Sequence, residues 1–241
     1  MFFLCAAMLT QTPAAYADGV RRILQSERGK LFAAYAGGEA VLSAVGESDI
    51  FYREIRIALF ANGEEKGEIV PKTDSGYNPH IQLVSFDGET EQIFYGADSG
   101  GSGGFGFFYV YRTEGEEIRE IFSSETFEVP YEASYVDGYA VEVRNVRTGS
   151  TSRIDLSDRG AEYLSQIYRA DGALIEPRSC YVTGVSDAIP FYNYATGRYG
   201  MELYARILGL YGADTVGYII MRLYEEGGFI SFFDLTAVYA G

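Results

Sequence analysis

The residues whose types and spacing could do chemistry are concentrated in one short run, Asp98-Ser99-Gly100-Gly101-Ser102-Gly103-Gly104. Two nucleophile patterns overlap there: the G-x-S-x-G form of a hydrolase elbow, and an Asp-Ser-Gly-Gly like the serine region of trypsin-like proteases. A serine hydroxyl attacks only when a base removes its proton. His80 is the sole histidine and precedes both serines, so the elbow lacks the base that must follow it. A triad of His80, Asp87 and Ser99 would have to come from one local stretch, whereas the two-barrel proteases gather theirs from well-separated segments. As a phosphate cradle the run lacks the Lys-Ser/Thr of a P-loop, and an aromatic strand follows where a helix should start. Its glycines suit a sharp bend or close approach by a ligand, which would then meet Asp98, Ser99 and Ser102.

Other candidates are scattered. His80 has no companion ligands, and a metal needs several. Asp87/Glu89/Glu91, Glu114/Glu116/Glu117 and Glu225/Glu226 all fall at turns, where solvated charge is the ordinary outcome. A carboxylate-dependent, glycosidase-like hydrolase is the alternative function. It would need two acids facing across a cleft at about 5–10 Å, with Asp98 and Asp214 the places to look. Tyr192, Tyr194 and Tyr199 lie in a stretch containing glycine and asparagine, so they are expected to be exposed and to bind through flat rings and hydroxyl tips.

The 241 residues fit one domain with a sizeable core. A net charge of −15 with no Lys/Arg cluster argues against nucleic acid. Residues 2–9 are apolar and Ala15-Tyr16-Ala17 follows, which is the pattern of a secretory signal peptide over 1–17 lacking a basic start. That apolar run is too short to cross a bilayer as a helix, and no later stretch is long enough. The expectation is an exported domain over 18–241, free or surface-associated, with one thiol, Cys180, read as a small buried hydrophobe.

The elements that must position these residues are mostly strands. Twenty-one Tyr and 16 Phe with no Trp favour β structure. Strands are expected over 40–45, 54–60, 68–70, 81–86, 105–111, 118–122, 132–136 and 152–156, with a period-2 strand through Tyr139, Val141 and Val143. Asn62-Gly63 and Asp137-Gly138 mark tight turns. Further strands are expected over 203–210, 216–223 and 229–238. A short helix of one or two turns is expected within 20–36, where Gly29 interrupts the apolar spacing, and a second helix over 158–168 with Ser157 as its cap. The fold class is therefore mainly β, antiparallel hairpins in a propeller-like or sandwich-like arrangement with one or two short helices.

Gly76-Tyr77-Asn78-Pro79, the glycine run with its aromatic strand, Tyr163-Leu164-Ser165-Gln166-Ile167-Tyr168 and Gly212-Ala213-Asp214-Thr215-Val216-Gly217-Tyr218 together resemble a family of secreted Gram-positive VCBS or FG-GAP repeat proteins. That resemblance implies integrin-propeller-like repeats with calcium in Asp-rich loops. Calcium wants several hard oxygens from one loop, and here only Asp87, Glu89 and Glu91 survive, with Gln92 where a closing carboxylate would fall. The expected function is a non-enzymatic module with no resident cofactor, calcium excepted, that binds a protein or glycan.

Overall fold

The computed structural model describes residues 19–239 except 49, 102, 116 and 227–228, and from 226 onward by backbone alone. The signal-peptide pattern, Asp49 and Ser102 lie outside the described residues. Strands make up 60% of the chain and helix 2%, so the mainly β, antiparallel class is what the chain adopts.

Among the described residues, fifteen strands and one short helix follow in order: β1 (Arg21–Gly29), β2 (Gly38–Gly46), β3 (Phe51–Ala61), β4 (Glu64–Ile69), β5 (Gly76–Val84), β6 (Gln92–Asp98), β7 (Gly106–Glu114), β8 (Glu117–Ser123), β9 (Tyr131–Val136), β10 (Ala140–Asn145), β11 (Thr151–Asp155), α1 (Ala161–Leu164), β12 (Tyr181–Asn193), β13 (Arg198–Leu208), β14 (Thr215–Glu226) and β15 (Phe229–Tyr239). They form an eight-stranded sheet, β1-β2-β3-β5-β6-β7-β8 with β4 on β3, a three-stranded sheet β11-β10-β9, and a four-stranded sheet β12-β13-β14-β15. Sheets of eight, three and four strands packed on one another are a sandwich-like solution rather than the repeated blades of a propeller.

Alternation along the strands builds two cores. Ala40, Leu42 and Ala44 of β2, Ile55, Ile57 and Leu59 of β3, Ile93 and Tyr95 of β6 and Tyr109 of β7 share one cluster inside the curled eight-stranded sheet. Phe94 of β6 and Phe108 and Val110 of β7 point the other way, into a second cluster with Tyr135, Val141 and Val143 of the three-stranded sheet and Leu203, Ile207, Ile219 and Met221 of the four-stranded one. β6 and β7 are therefore the shared wall, buried on both faces.

Asn62 and Gly63 both take positive φ, 53° and 78°, and join β3 to β4 as the expected two-residue turn. The expected helix over 20–36 is instead β1. Its Ile23 is 72% exposed, so the apolar spacing did not mark a buried face. The side-chain amide of Gln25 exchanges two hydrogen bonds with the backbone of Ile81 in β5, at 2.7 and 2.9 Å, bridging strands that no ladder joins. The expected helix over 158–168 shrinks to α1, capped at Gly160 rather than Ser157. Tyr168 then bridges to Leu174, and its hydroxyl donates to the carbonyl of Ala140.

Candidate functional site

The hairpin of β12 and β13 ends with Asn193 paired to Arg198. Asn193 Oδ1 accepts from the Ala195 amide and Gly197 takes φ +69°, closing the tip. One step back, Tyr192 is the cross-strand partner of Tyr199, which puts both rings on one face, 5.3 Å apart. Tyr194 packs edge-on against Tyr192 at 5.1 Å and stands 91% exposed. The three tyrosines marked in the sequence thus form one cluster.

This tip is fastened to the loop after β5. The Tyr199 amide donates to the carbonyl of Ser85 at 3.0 Å, and Arg198 lies over Gly88. Between them opens a cleft of about 480 Å³, floored by Phe86, walled by Tyr199 and Tyr224, and edged by Asn193, Thr196, Arg198 and Glu225. Mixed aromatic and polar lining at this volume is what a small-ligand site requires. Asn193 Nδ2 donates to the Tyr224 hydroxyl at 3.1 Å and holds that wall.

Behind the cleft, Arg112 of β7 sits between two carboxylates, 3.3 Å from Glu225 and 3.4 Å from Asp87, with all three side chains at most 20% exposed. Asp87 also accepts from the Glu89 and Thr90 amides and from Gln92 Nε2. Burial alone would raise its pKa, but those amides and the guanidinium carry it below the ordinary carboxylate value. Arg112 and Glu225 are 113 positions apart, and no sequence motif announces their meeting.

The three carboxylates of this loop do not converge on one point. Asp87 is occupied as described, Glu91 turns away to accept from the Lys30 amide, and Glu89 is exposed. The position of the missing closing carboxylate holds a buried glutamine that donates into Asp87. Among the described residues no three His, Cys, Asp or Glu gather as metal ligands would.

Asp98 and Ser99 lie at the opposite end of β6 from Asp87, about 20 Å away at about 3.3 Å per residue. Asp98 Oδ2 accepts from Asn78 Nδ2, and the Ser99 amide donates to the carbonyl of Phe105. His80, Asp87 and Ser99 therefore do not assemble as a triad. Asp214 is buried and occupied by donors: Arg159 at 3.4 Å, the Tyr163 hydroxyl at 2.7 Å and the Leu210 amide at 2.8 Å. Its setting is that of a structural ion pair rather than of an acid facing substrate. Cys180 borders a separate cleft, and burial pushes its thiol up to about 12.

Residues 129–237 match the YybI C-terminal domain, a stretch that begins where the eight-stranded sheet has ended and takes in β9 to β14 with most of β15. The uncharacterized protein YybI of Bacillus subtilis (strain 168) is 33% identical over 151 residues, covering 61% of this chain and 58% of that protein. The chain thus spans less than two thirds of the relative it matches. No solved structure matches it. These matches correct the VCBS/FG-GAP resemblance: no such repeat family is indicated, and the calcium loops it implied lose their basis. No enzymatic family is indicated either. Among the described residues no helix is long and apolar enough to cross a membrane.

Proposed function

We propose that the chain is a non-catalytic binding module, acting outside the cell, whose hairpin-tip cleft holds a glycan. The observation that carries this reading is the Tyr192–Tyr194–Tyr199 cluster at the tip whose Tyr199 also walls a cleft edged by Asn193, Thr196, Arg198 and Glu225. Ring faces give a sugar flat apolar area, and amide, hydroxyl, guanidinium and carboxylate groups meet its hydroxyls. The signal-peptide pattern over 1–17 supports export. A protein partner is the competing occupant, favoured by the near-complete exposure of Tyr194.

The test is affinity electrophoresis and calorimetry against cellulose, chitin and xylan fragments, comparing the wild-type chain with Tyr192→Ala/Tyr194→Ala. Retention by at least one polymer, weakened roughly tenfold or more in the variant, is expected. Retention by none, or retention that the double variant leaves unchanged, would remove the reading.

A further inference from the structure

At the far end of β6 the glycine run meets a different surface. Cross-strand partners share a face, so the pairs Arg206↔Tyr218 and Tyr204↔Ile220 place these side chains on the side of the four-stranded sheet opposite the core residues Leu203, Ala205 and Ile207. Gly103 and Gly104 approach that face, and with Asp187, Tyr204, Arg206 and Tyr218 they enclose a cleft of about 330 Å³. Arg206 is locked in place: its Nε and Nη2 donate to Thr215 Oγ1, and its Nη1 donates to the Gly103 carbonyl, pinning the glycine run over the sheet. Asp187 is exposed and its Oδ1 accepts only from the amide of Ala188 among the bonds it makes here. A Cβ on Gly104 would meet nothing within 4 Å, so the backbone there is open to approach.

We infer that this cleft is a second binding site, separate from the hairpin tip, for one or two rings of a neutral, hydroxyl-rich glycan. The assignment rests on this cleft's own residues. A carboxylate and a guanidinium lining one cleft suit a ligand whose groups both donate and accept, as vicinal hydroxyls do. The same carboxylate, on a chain of net charge −15, disfavours phosphate or sulfate groups. An apolar ligand is disfavoured because it would cover the Asp187 carboxylate without replacing the water that solvates it. Tyr204 and Tyr218 supply ring faces, and the volume lies at the small end of ligand clefts. Tyr199 at the tip and Arg206 in this cleft lie on the same strand β13, roughly 20 Å apart at about 3.3 Å per residue, so one chain would hold two stretches of polymer at once.

The experiment is an amide-shift titration of the full chain with cellotetraose and, separately, with tetra-N-acetylchitotetraose. It uses wild type, Asp187→Ala, Tyr218→Ala, and the tip variant Tyr192→Ala/Tyr194→Ala, each checked by thermal melting. Saturable shifts at Gly103, Gly104, Asp187 and Tyr218 are expected to persist in the tip variant and to weaken at least tenfold in Asp187→Ala. Because Asp187 is exposed, that variant keeps the test usable even where Tyr218→Ala perturbs the sheet. Shifts confined to the tip would sink the second site and leave the first standing; shifts confined to this cleft would do the reverse. No shifts here with either sugar, or shifts indifferent to Asp187→Ala, overturn the proposal.

Discussion

Phe191 of β12 and Tyr224 of β14 meet edge to face, 5.6 Å between ring centroids, above Gly200 of the intervening strand β13. A Cβ at Gly200 would lie 2.8–2.9 Å from atoms of both rings. Gly200→Ala must therefore push the aromatic pair apart. The expected loss is about 1–3 kcal/mol, as for other overpacked sites, or roughly 2–4 °C in Tm per kcal/mol at this size. A melt superimposable on wild type would show that the rings can move aside freely.

Gly209 sits still more tightly. A Cβ there would fall 2.2 Å from Asp214 Oδ2, 2.5 Å from the Tyr135 hydroxyl and 2.7 Å from the Tyr163 hydroxyl. Gly209→Ala is expected to lower Tm more than Gly200→Ala does. Asp214→Ala, which removes the buried carboxylate that Arg159, Tyr163 and the Leu210 amide share, is expected to cost roughly 3 kcal/mol. Urea titration of the three proteins ranks them directly.

Tyr95 and Tyr111 have buried hydroxyls with no hydrogen-bond partner among the described residues. Burial is the main reason that both phenols are held well above their usual pKa. Replacing either by Phe removes an unsatisfied polar atom and keeps the ring, so the change is expected to be neutral or stabilising. Tyr109→Phe is the contrasting control, because its hydroxyl bonds Glu125 and accepts from the Thr73 amide. Destabilisation by all three alike would show that the two orphan hydroxyls have partners after all.

Asp87 links the cleft wall to acid stability. Its folded pKa is depressed, so its contribution is complete above the unfolded value and is lost as pH falls through the folded one. Asp87→Asn is expected to lower stability at pH 7 and to flatten the fall in stability below about pH 4. Denaturation midpoints across pH 2.5–7 check this; parallel curves for the two proteins would contradict it.

Burial also raises the Cys180 thiol to about 12, which leaves little thiolate near neutrality. An aromatic disulfide reagent at pH 8 is expected to react slowly with the native chain and promptly in urea. Equal rates in both would place the thiol in open solvent.

The readable parts of this fold are those where one face of a strand is apolar and its turn chemistry is local. Val141 and Val143 alternate with Glu142 and Arg144, and Asn62-Gly63 forces the β3–β4 hairpin. β1 was not readable because its key inward contact is a polar amide, Gln25, while Ile23 faces solvent. The start of β12 at Tyr181 was legible, but its full length was hidden by Gly184 and Pro190, which an edge strand tolerates and a central one does not. The exposure of Tyr192 and Tyr194 was legible in their glycine- and asparagine-containing stretch, whereas Tyr199, expected to be exposed with them, is half-buried where it walls the candidate cleft. Its back wall, Arg112 with Glu225, depends on two sheets meeting, and neither segment carries a trace of that encounter.

The double-sided burial of β6 and β7 has a consequence for any fragment of this chain. A piece starting near residue 129 would carry the matched segment but leave behind Phe94, Phe108 and Val110, which roof its hydrophobic interior. Released alone, it would offer that unroofed interior to solvent and to its own copies. A protein that keeps this C-terminal segment must therefore bring along a lid of its own.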